Sequence, residues 1–540
     1  METTSVSTVK PKRKDKSEDV QEERKQEETP SGEPQRKLLR LGETLDKPLA
    51  VPEVQLNAVY QQKELTQWLQ TTWTKAKGDE TVKDDKTGAQ VFADPFQICL
   101  LPGLLAEGTS KALVSEIIDK VTWSRKQMDL YEFYQSTDLS NMPRCRLLTN
   151  FLQVLRKQVR PWLEKVTNLK LDYVSASCSM YTCGDYLLVH DDLLKDRQIA
   201  FIYYLSPWEG AEEWNETQGG SLEIFSSDSQ CFPQFPVHRK IAPKDNQFAF
   251  FKVGSRSFHQ VGEVTTFDYP RLTINGWFHG ETNEAFVPDS MRAFPRLSYL
   301  QPDSSSKQQP LALLLNNVYL KTATRRSIQK RIEENSEICL YEFFKREKFE
   351  LARAQLLNDS DSLVWRRQGP ANAHNYEVMD LSTARGTIQE LLQLFRSNAM
   401  FDLLRDFTDL DLSGADAVRP KCSVELQRWS HGNYTVLGDG LVSEENTLDL
   451  VYYLNAAEGA AVITYLSPDG ELPNEKQKQT QTQGSDEEDD DSVLLTISPV
   501  DNALNIVYRC EGTTKFTKYV SRNTPLEKGP VFVISCSYKE

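Results

Sequence analysis

His190 and Asp192 stand two residues apart at the end of an apolar, strand-like run, "YLLVHDD". The chain has only six histidines in 540 residues. An imidazole and a carboxylate at this spacing can share a metal ion if a later segment supplies a third ligand. Three histidines follow within the next ninety positions: His238 in "FPVHRK", His259 in "SRSFHQV" and His279 in "GWFHG". Two imidazoles and one carboxylate on one face of a metal leave three positions open. Non-haem Fe(II) oxygenases use that arrangement, because iron needs the open positions for a bidentate oxo-acid and then dioxygen.

His259 is favoured over His279 as the third ligand. Arg271, in "YPRLTINGWF", follows it by twelve residues. A guanidinium on the next strand, pointing into the same interior, can grip a carboxylate with its two-pronged fork. A dicarboxylate cosubstrate would chelate iron with its oxo-acid end and meet Arg271 with its far end. Tyr204 in "IYYLS" can share that far carboxylate, while Tyr203 faces the other way because strand neighbours alternate. Each feature is weak alone. An HxD pair is common, a lone histidine is usually packed, and a strand arginine usually makes a salt bridge. Two other readings stay open here. A zinc hydrolase could use the same three ligands, but it needs a general base and leaves Arg271 without a task. A scaffold acting through the second half of the chain would survive loss of His190.

The elements that must position these residues are legible as a series of short strands. After Asp172 the hydrophobic period shortens toward two: "YVSASCSMYTC", "DYLLVHDD", "IAFIYYLSP", "GGSLEIFSS", "NQFAFFKVG", "SFHQVGEV" and "RLTINGWFHG". Many short strands broken by turn residues predict a sandwich or barrel. Helical spacing precedes them in "AVYQQKELTQWLQTTWTKA", "SKALVSEIIDKVTWS" and "LLTNFLQVLRKQVRPWLEKVTN", so helices are expected against one outer face. A second helical block covers roughly 311–357, and a third is "TIQELLQLFRSNAMFDLLRDFT". Strands then return: "CSVELQRWSHGNYTVLGD", "LDLVYYLN", "AAVITYLSPDG", "SVLLTISP", "NALNIVYRC", "TKYVSR" and "PVFVISCSY".

The order of pieces repeats. "MYTCGDYLLVHDD" is echoed by "RWSHGNYTVLGDG", "IAFIYYLSP" by "LDLVYYLNA", "GGSLEIF" by "GAAVITYL" and "DNQFAFFKV" by "DNALNIVYR". This predicts two copies of one β-fold in tandem, at a spacing far beyond that of a solenoid. Aligning Gly184 with Gly432 puts Gly438 where His190 stands and Gly440 where Asp192 stands, and no histidine follows His431. The second copy therefore cannot build the same metal site. The expected division is a polar tail over 1–52, a catalytic unit over 53–295 and a non-catalytic unit over 296–540. The acidic stretch 484–492 is expected to be a disordered loop between two strands, with Ser485 and Ser492 as candidate phosphorylation sites. The tail has too few apolar residues to offset chain entropy and is expected to be disordered; within it, "KPKRKDK" (Lys10 to Lys16) is a basic cluster of nuclear-import type.

Bulk properties narrow the function classes. A net charge of -15 argues against bulk nucleic-acid binding. None of the nine cysteines forms a CxxC pair, which argues against a zinc ribbon or redox motif. With no signal peptide visible, a reducing compartment is expected. No apolar run reaches the roughly 18–20 residues of a membrane span.

The sequence "HDD…IAFIYYLSPW…GGSLEIF…SFHQV…RLTINGWFHG" resembles the Fe(II)/2-oxoglutarate dioxygenases of the prolyl hydroxylase class. Within that class, "DPF", "YEFYQSTDL", "NVYL", "SEICLYEFF" and the tandem arrangement resemble the ribosomal prolyl 3-hydroxylases, over about residues 55–540. The resemblance implies an α+β fold of tandem double-stranded β-helix (jelly-roll) domains, each with packed helices, the first catalytic and the second degenerate. It implies His190, Asp192 and His259 as iron ligands, Arg271 and Tyr204 at the far carboxylate of 2-oxoglutarate, and Tyr181 lining the cosubstrate pocket. The implied cofactors are Fe(II), 2-oxoglutarate and dioxygen as cosubstrates, and ascorbate as reductant. The implied reaction is 3-hydroxylation of a proline in the decoding-centre protein of the small ribosomal subunit, affecting translation, in nucleus and cytoplasm; the sequence leaves the oligomeric state open, with a monomer expected. Another protein substrate is the alternative. No residue here indicates proline, or its position 3, by physics alone.

Overall fold

The computed structural model describes residues 53–194, 196–207, 213–281, 298–302, 311–358, 362–412, 420–437, 445–467 and 492–539. The basic cluster at 10–16, Ser485 and nearly all of the acidic stretch, and Gly438 and Gly440, lie outside these residues.

Every ladder between the named strands is antiparallel, and the strands are accompanied by helices. In the first half the central order is Ile98–Pro102, Gln247–Lys252, Arg197–Tyr204, Arg271–His279, Tyr173–Tyr181, Tyr131–Asp138. The sheet continues from the last of these into Tyr186–His190, His259–Val261, Leu222–Ile224 and Arg239–Ile241. These later strands turn back over the central ones: Leu222 and Ile224 pack in one buried cluster with Ala200, Tyr204, Ala249 and Phe251. Strand alternation sends the neighbouring side chains to the opposite face. There Phe201, Tyr203, Phe248 and Phe250 meet the helices Lys63–Lys75, Thr109–Lys120 and Arg146–Val154. The helices present apolar stripes to that face; Leu65, Leu69 and Trp73, four residues apart, are the buried apolar positions of the first, with Thr72 beside them.

In the second half the central order is Glu337–Leu340, Leu504–Arg509, Thr447–Leu454, Val531–Lys539, Lys421–Trp429, His374–Met379. A separate three-stranded sheet runs Val493–Ile497, Ile463–Leu466, Thr514–Thr517. The order of the six central strands parallels that of the first half, but the three-stranded sheet stands apart where the first half's sheet is continuous.

Several elements differ from the sequence expectation. Glu337–Leu340 is a strand inside the block read as helical, and it completes the edge of the second sheet. The run from Thr387 to Thr408 is two helices, Gly386–Phe395 and Asn398–Thr408, because the Ser397 side chain caps the second by accepting from Met400 N–H. The strand near "TKYVSR" is Thr514–Thr517, slightly earlier. Tyr131–Asp138 and His374–Met379, half-exposed and without a clean period of two, are strands that the pattern missed.

The halves touch along a continuous front. Tyr186 and Leu188 pack with Tyr434 and Val436, and Tyr186 lies 4.2 Å from the Tyr519 ring. Val189, Phe225 and Phe258 enclose Ala371. Asp129 accepts from Leu437 N–H at 2.6 Å.

Candidate metal centre

His190 ends one strand and His259 begins the next, and the two are register partners. Their rings stand 4.3 Å apart. Asp192 adopts φ 62°, the left-handed region that non-glycine residues avoid. The turned carboxylate lies 3.5 Å from Nε2 of His190 through Oδ1 and 3.5 Å from Nε2 of His259 through Oδ2. One donor atom from each of the three residues falls within 4.8 Å of the others. Each Nδ1 is 2.8 Å from a backbone carbonyl, Leu188 for His190 and Ser257 for His259. A carbonyl only accepts, so each Nδ1 carries the proton and each Nε2 keeps the lone pair a metal would take. Burial, helped by His190, lowers the His259 pKa to about 4. Burial pushes the Asp192 carboxyl up, but His190, His259 and Arg197 more than offset this and hold it below its ordinary value. The His259 imidazole and the Asp192 carboxyl are therefore both held in the deprotonated form a cation needs.

Across a cavity of about 300 Å³ from this cluster lies Arg271, 1% exposed. Its Nε donates to Gly220 O at 2.7 Å, and its Nη2 has no hydrogen-bond partner among the described residues. Among the described residues the Tyr204 hydroxyl proton has no acceptor, and the group beside it is the Arg271 guanidinium, whose carbon lies 5.3 Å from the Tyr204 ring. Buried polar atoms are normally paired. Two unpartnered donors around one guanidinium fit a carboxylate accepting from both, so the donor set suits a dicarboxylate cosubstrate at this end and a cation at the other. Tyr181 lines the same cavity, stacked on Phe133 at 4.7 Å, with the Arg271 guanidinium 5.1 Å over its ring. Tyr203 points away, as alternation requires, and donates to Asn246 at 3.0 Å.

The other histidines stand elsewhere. His279 is held by Asp196 at 2.9 Å and Ser175 at 2.7 Å, and stacks on Tyr173. His238 meets Asp79 and Asp94 at 3.2 and 3.3 Å, but Arg239 also holds Asp79 at 2.5 Å, a cation that opposes a metal. Sequence reasoning missed Arg197, which lies over the Trp277 ring at 3.6 Å and 3.6 Å from Asp192. It also missed Gly219 and Gly220 as a structural pair. A Cβ on Gly219 would sit 1.9 Å from Glu263 O, and one on Gly220 would crowd Arg271 Cδ at 3.1 Å. The "GG" opening of "GGSLEIF" was the available signal.

A 2OG-Fe(II) oxygenase superfamily model matches residues 176–279, and a model for the C-terminal part of oxoglutarate and iron-dependent oxygenases, described as "Oxoglutarate and iron-dependent oxygenase degradation C-term", matches 306–540. The chain is similar to prolyl 3-hydroxylase sudestada1 of Drosophila melanogaster, 81% identical over 542 residues and covering 100% of each chain. It is similar to prolyl 3-hydroxylase OGFOD1 of Xenopus laevis, 31% identical, covering 76% of this chain and 80% of that one. Among solved structures it resembles a Pseudomonas putida prolyl-4-hydroxylase, with 18% identity, 34% of this chain and 92% of that one covered, and a TM-score of 0.29.

Proposed function

This chain belongs to the prolyl 3-hydroxylase family of 2-oxoglutarate- and iron-dependent oxygenases, and from that premise we propose which residues run its chemistry and on what substrate. His190, Asp192 and His259 hold the iron, Arg271 and Tyr204 hold the far carboxylate of 2-oxoglutarate, and Tyr181 walls the cosubstrate pocket. The observation that carries this assignment is the pairing, in one cavity, of three lone-pair donors with an unpartnered buried guanidinium nitrogen. Iron with 2-oxoglutarate and dioxygen supplies the oxidant, 2-oxoglutarate leaving as succinate and carbon dioxide while one oxygen atom enters a substrate C–H bond. The protein's part is placement. The Leu188 and Ser257 carbonyls fix both imidazoles in the ligating tautomer, Arg271 sets the cosubstrate's direction, and Leu222, Phe251 and Val261 keep water from the cavity wall.

The substrate is C3 of a proline in the decoding-centre protein of the small ribosomal subunit, so that the modification bears on translation. Ascorbate keeps the iron in its Fe(II) state. The protein acts as a monomer in nucleus and cytoplasm; the basic run Lys10 to Lys16 supports nuclear entry. Residues 53–295 form the catalytic unit, and 296–540 a second β-helix copy without iron chemistry. The shared strand order and the lack of any histidine after His431 support this division.

The test is the intact mass of that ribosomal protein after incubation with this protein, Fe(II), 2-oxoglutarate and ascorbate, with His259→Ala in parallel. A gain of about 16 Da that the variant abolishes is expected. Succinate formation without a mass gain would remove the substrate and keep the oxygenase; neither signal would overturn the iron assignment.

A further inference from the structure

Glu263 lies between the strand of His259 and the strand of Arg271, and its side chain is buried. A buried carboxylate needs donors. Among the described residues, all four of its side-chain hydrogen bonds come from the other half of the chain. Tyr519 Oη donates to Oε2 at 3.1 Å, Ser521 Oγ donates to Oε1, and Arg522 N–H is shared by Oε1 and Oε2 at 2.9 and 3.0 Å. Its backbone faces the site. Glu263 O accepts from Gly220 N–H at 3.0 Å, and Gly220 O accepts from Arg271 Nε at 2.7 Å. Gly219 permits this closure, because any side chain there would strike Glu263 O. The flanking residues are pinned as well. Gly262 N–H donates to Ser221 O, Val264 N–H donates to Asp185 O, and Val264 O accepts from Gly184 N–H. Two hydrogen bonds thus separate a residue gripped by the second half from the guanidinium at the cosubstrate end. The metal-ligating atoms are held by a different set of bonds, from Leu188 and Ser257.

We propose that Glu263 is a positioning residue through which the loop 519–522 of the second half sets the aim of Arg271, and so the affinity for 2-oxoglutarate. This rests on the reading of Arg271 as the anchor for the far carboxylate. The second half thereby takes part in the reaction without supplying any group that touches metal or cosubstrate. Releasing the clamp leaves the flanking backbone bonds in place but lets the Glu263 carbonyl shift between them, carrying the Gly220 carbonyl with it, and a misaimed fork loses its paired hydrogen bonds.

The experiment uses the full chain loaded with Mn(II) in place of iron, without oxygen, and titrates 2-oxoglutarate calorimetrically. Mn(II) affinity is measured separately. Glu263→Ala is expected to weaken 2-oxoglutarate binding about tenfold, equivalent to about 1.4 kcal/mol, with Mn(II) affinity unchanged. Glu263→Gln keeps one acceptor oxygen for Ser521 and Arg522 and is expected to recover part of the loss. Ser521→Ala, which lies outside the cavity and removes a single donor, is expected to give a smaller weakening of the same kind. In turnover the loss should fall on KM for 2-oxoglutarate rather than on kcat. Unchanged 2-oxoglutarate affinity in folded Glu263→Ala, or equal loss of Mn(II) and 2-oxoglutarate, would overturn the proposal. If Glu263→Ala does not fold, Ser521→Ala decides by the same measurement. An Arg271→Ala control that binds 2-oxoglutarate like the wild type would instead remove the underlying reading, and the proposal with it.

Discussion

The two halves share a strand order, so they can be compared position by position. Arg271 pairs across its ladder with Tyr181, and Val531 with Trp429. Thr273 pairs with Tyr204, and Val533 with Tyr453. Gly184 N–H donates to Val264 O, and Gly432 N–H to Val520 O. Counting from these matches, Val531 stands in the place of Arg271, Trp429 of Tyr181, Tyr453 of Tyr204, Lys515 of His259 and Asp449 of Ala200. The Tyr204 hydroxyl, whose proton has no acceptor among the described residues, contrasts with Tyr453, which donates to Ala461 O at 2.9 Å. Where the first half leaves a cavity beside His259, the second fills the space with charge. Asp449, fully buried, meets Lys515 at 2.7 Å, Arg509 at 3.2 Å and Ser537 at 2.9 Å. At the matched positions the first half leaves polar groups for a ligand, whereas in the second they satisfy one another.

The largest test of that contrast exchanges the paired positions. His259→Ala is expected to reduce hydroxylation to background, whereas Lys515→Ala leaves turnover per folded molecule unchanged; succinate release measures both. If Lys515→Ala also silenced the enzyme, the division of labour would fall. Next in size, Arg271→Ala should raise KM for 2-oxoglutarate by roughly 30-fold or more, from the on-the-order-of 2–5 kcal/mol cost of truncating a buried charged pair. Arg271→Lys should not restore it, because the planar fork is lost. Val531→Ala, at the matching position, should cost about 2 kcal/mol of stability and leave KM alone.

Asp449→Ala takes the shared carboxylate away from the largely buried Arg509 and the part-exposed Lys515 and should destabilise by about 3 kcal/mol, read from denaturant unfolding. The same group has a pH signature. Burial raises the Asp449 carboxyl, but Lys515 and Arg509 outweigh it, so its folded pKa lies below the unfolded one. The stability it contributes is complete above the unfolded value and is lost as pH falls through the folded value. Asp449→Asn should therefore flatten the acid limb of the unfolding curve. Smallest is the turn pair. Gly184 and Gly432 both have φ near +90°, and open space surrounds the second. Gly432→Ala should cost about 1 kcal/mol of left-handed strain, and Gly184→Ala slightly more, because Asn523 Nδ2 lies 3.0 Å from the added carbon. Thermal midpoints compare the two.

The cavity was legible because its chemistry is written locally. The HxD turn, the later histidine and the arginine twelve residues on sit on strands whose alternation fixes which side chains face inward, and Tyr204 separated from Tyr203 on that rule. The internal echo rests on the same local marks, since matching turns and apolar runs preserve register. Tyr131–Asp138 and His374–Met379 were not legible, because each is half-exposed and takes its strand form from neighbours distant in sequence. Glu263 falls inside the strand-like piece "SFHQVGEV", whose strand in fact stops at Val261, and nothing marked it for a task; its partners lie more than 250 positions away, and no local pattern encodes them.

The front between the halves also fixes how the molecule can be cut. A chain ending near 295 would keep every residue of the metal cluster and the whole guanidinium end. It would also present Tyr186, Leu188, Val189 and Phe258 to water, with the Glu263 carboxylate stripped of all its donors. Such a fragment has the parts of an oxygenase and the surface of an aggregating intermediate. The second half is thus not an appendage that can be trimmed to obtain a minimal enzyme, and any smaller version would have to replace that buried face with polar side chains first.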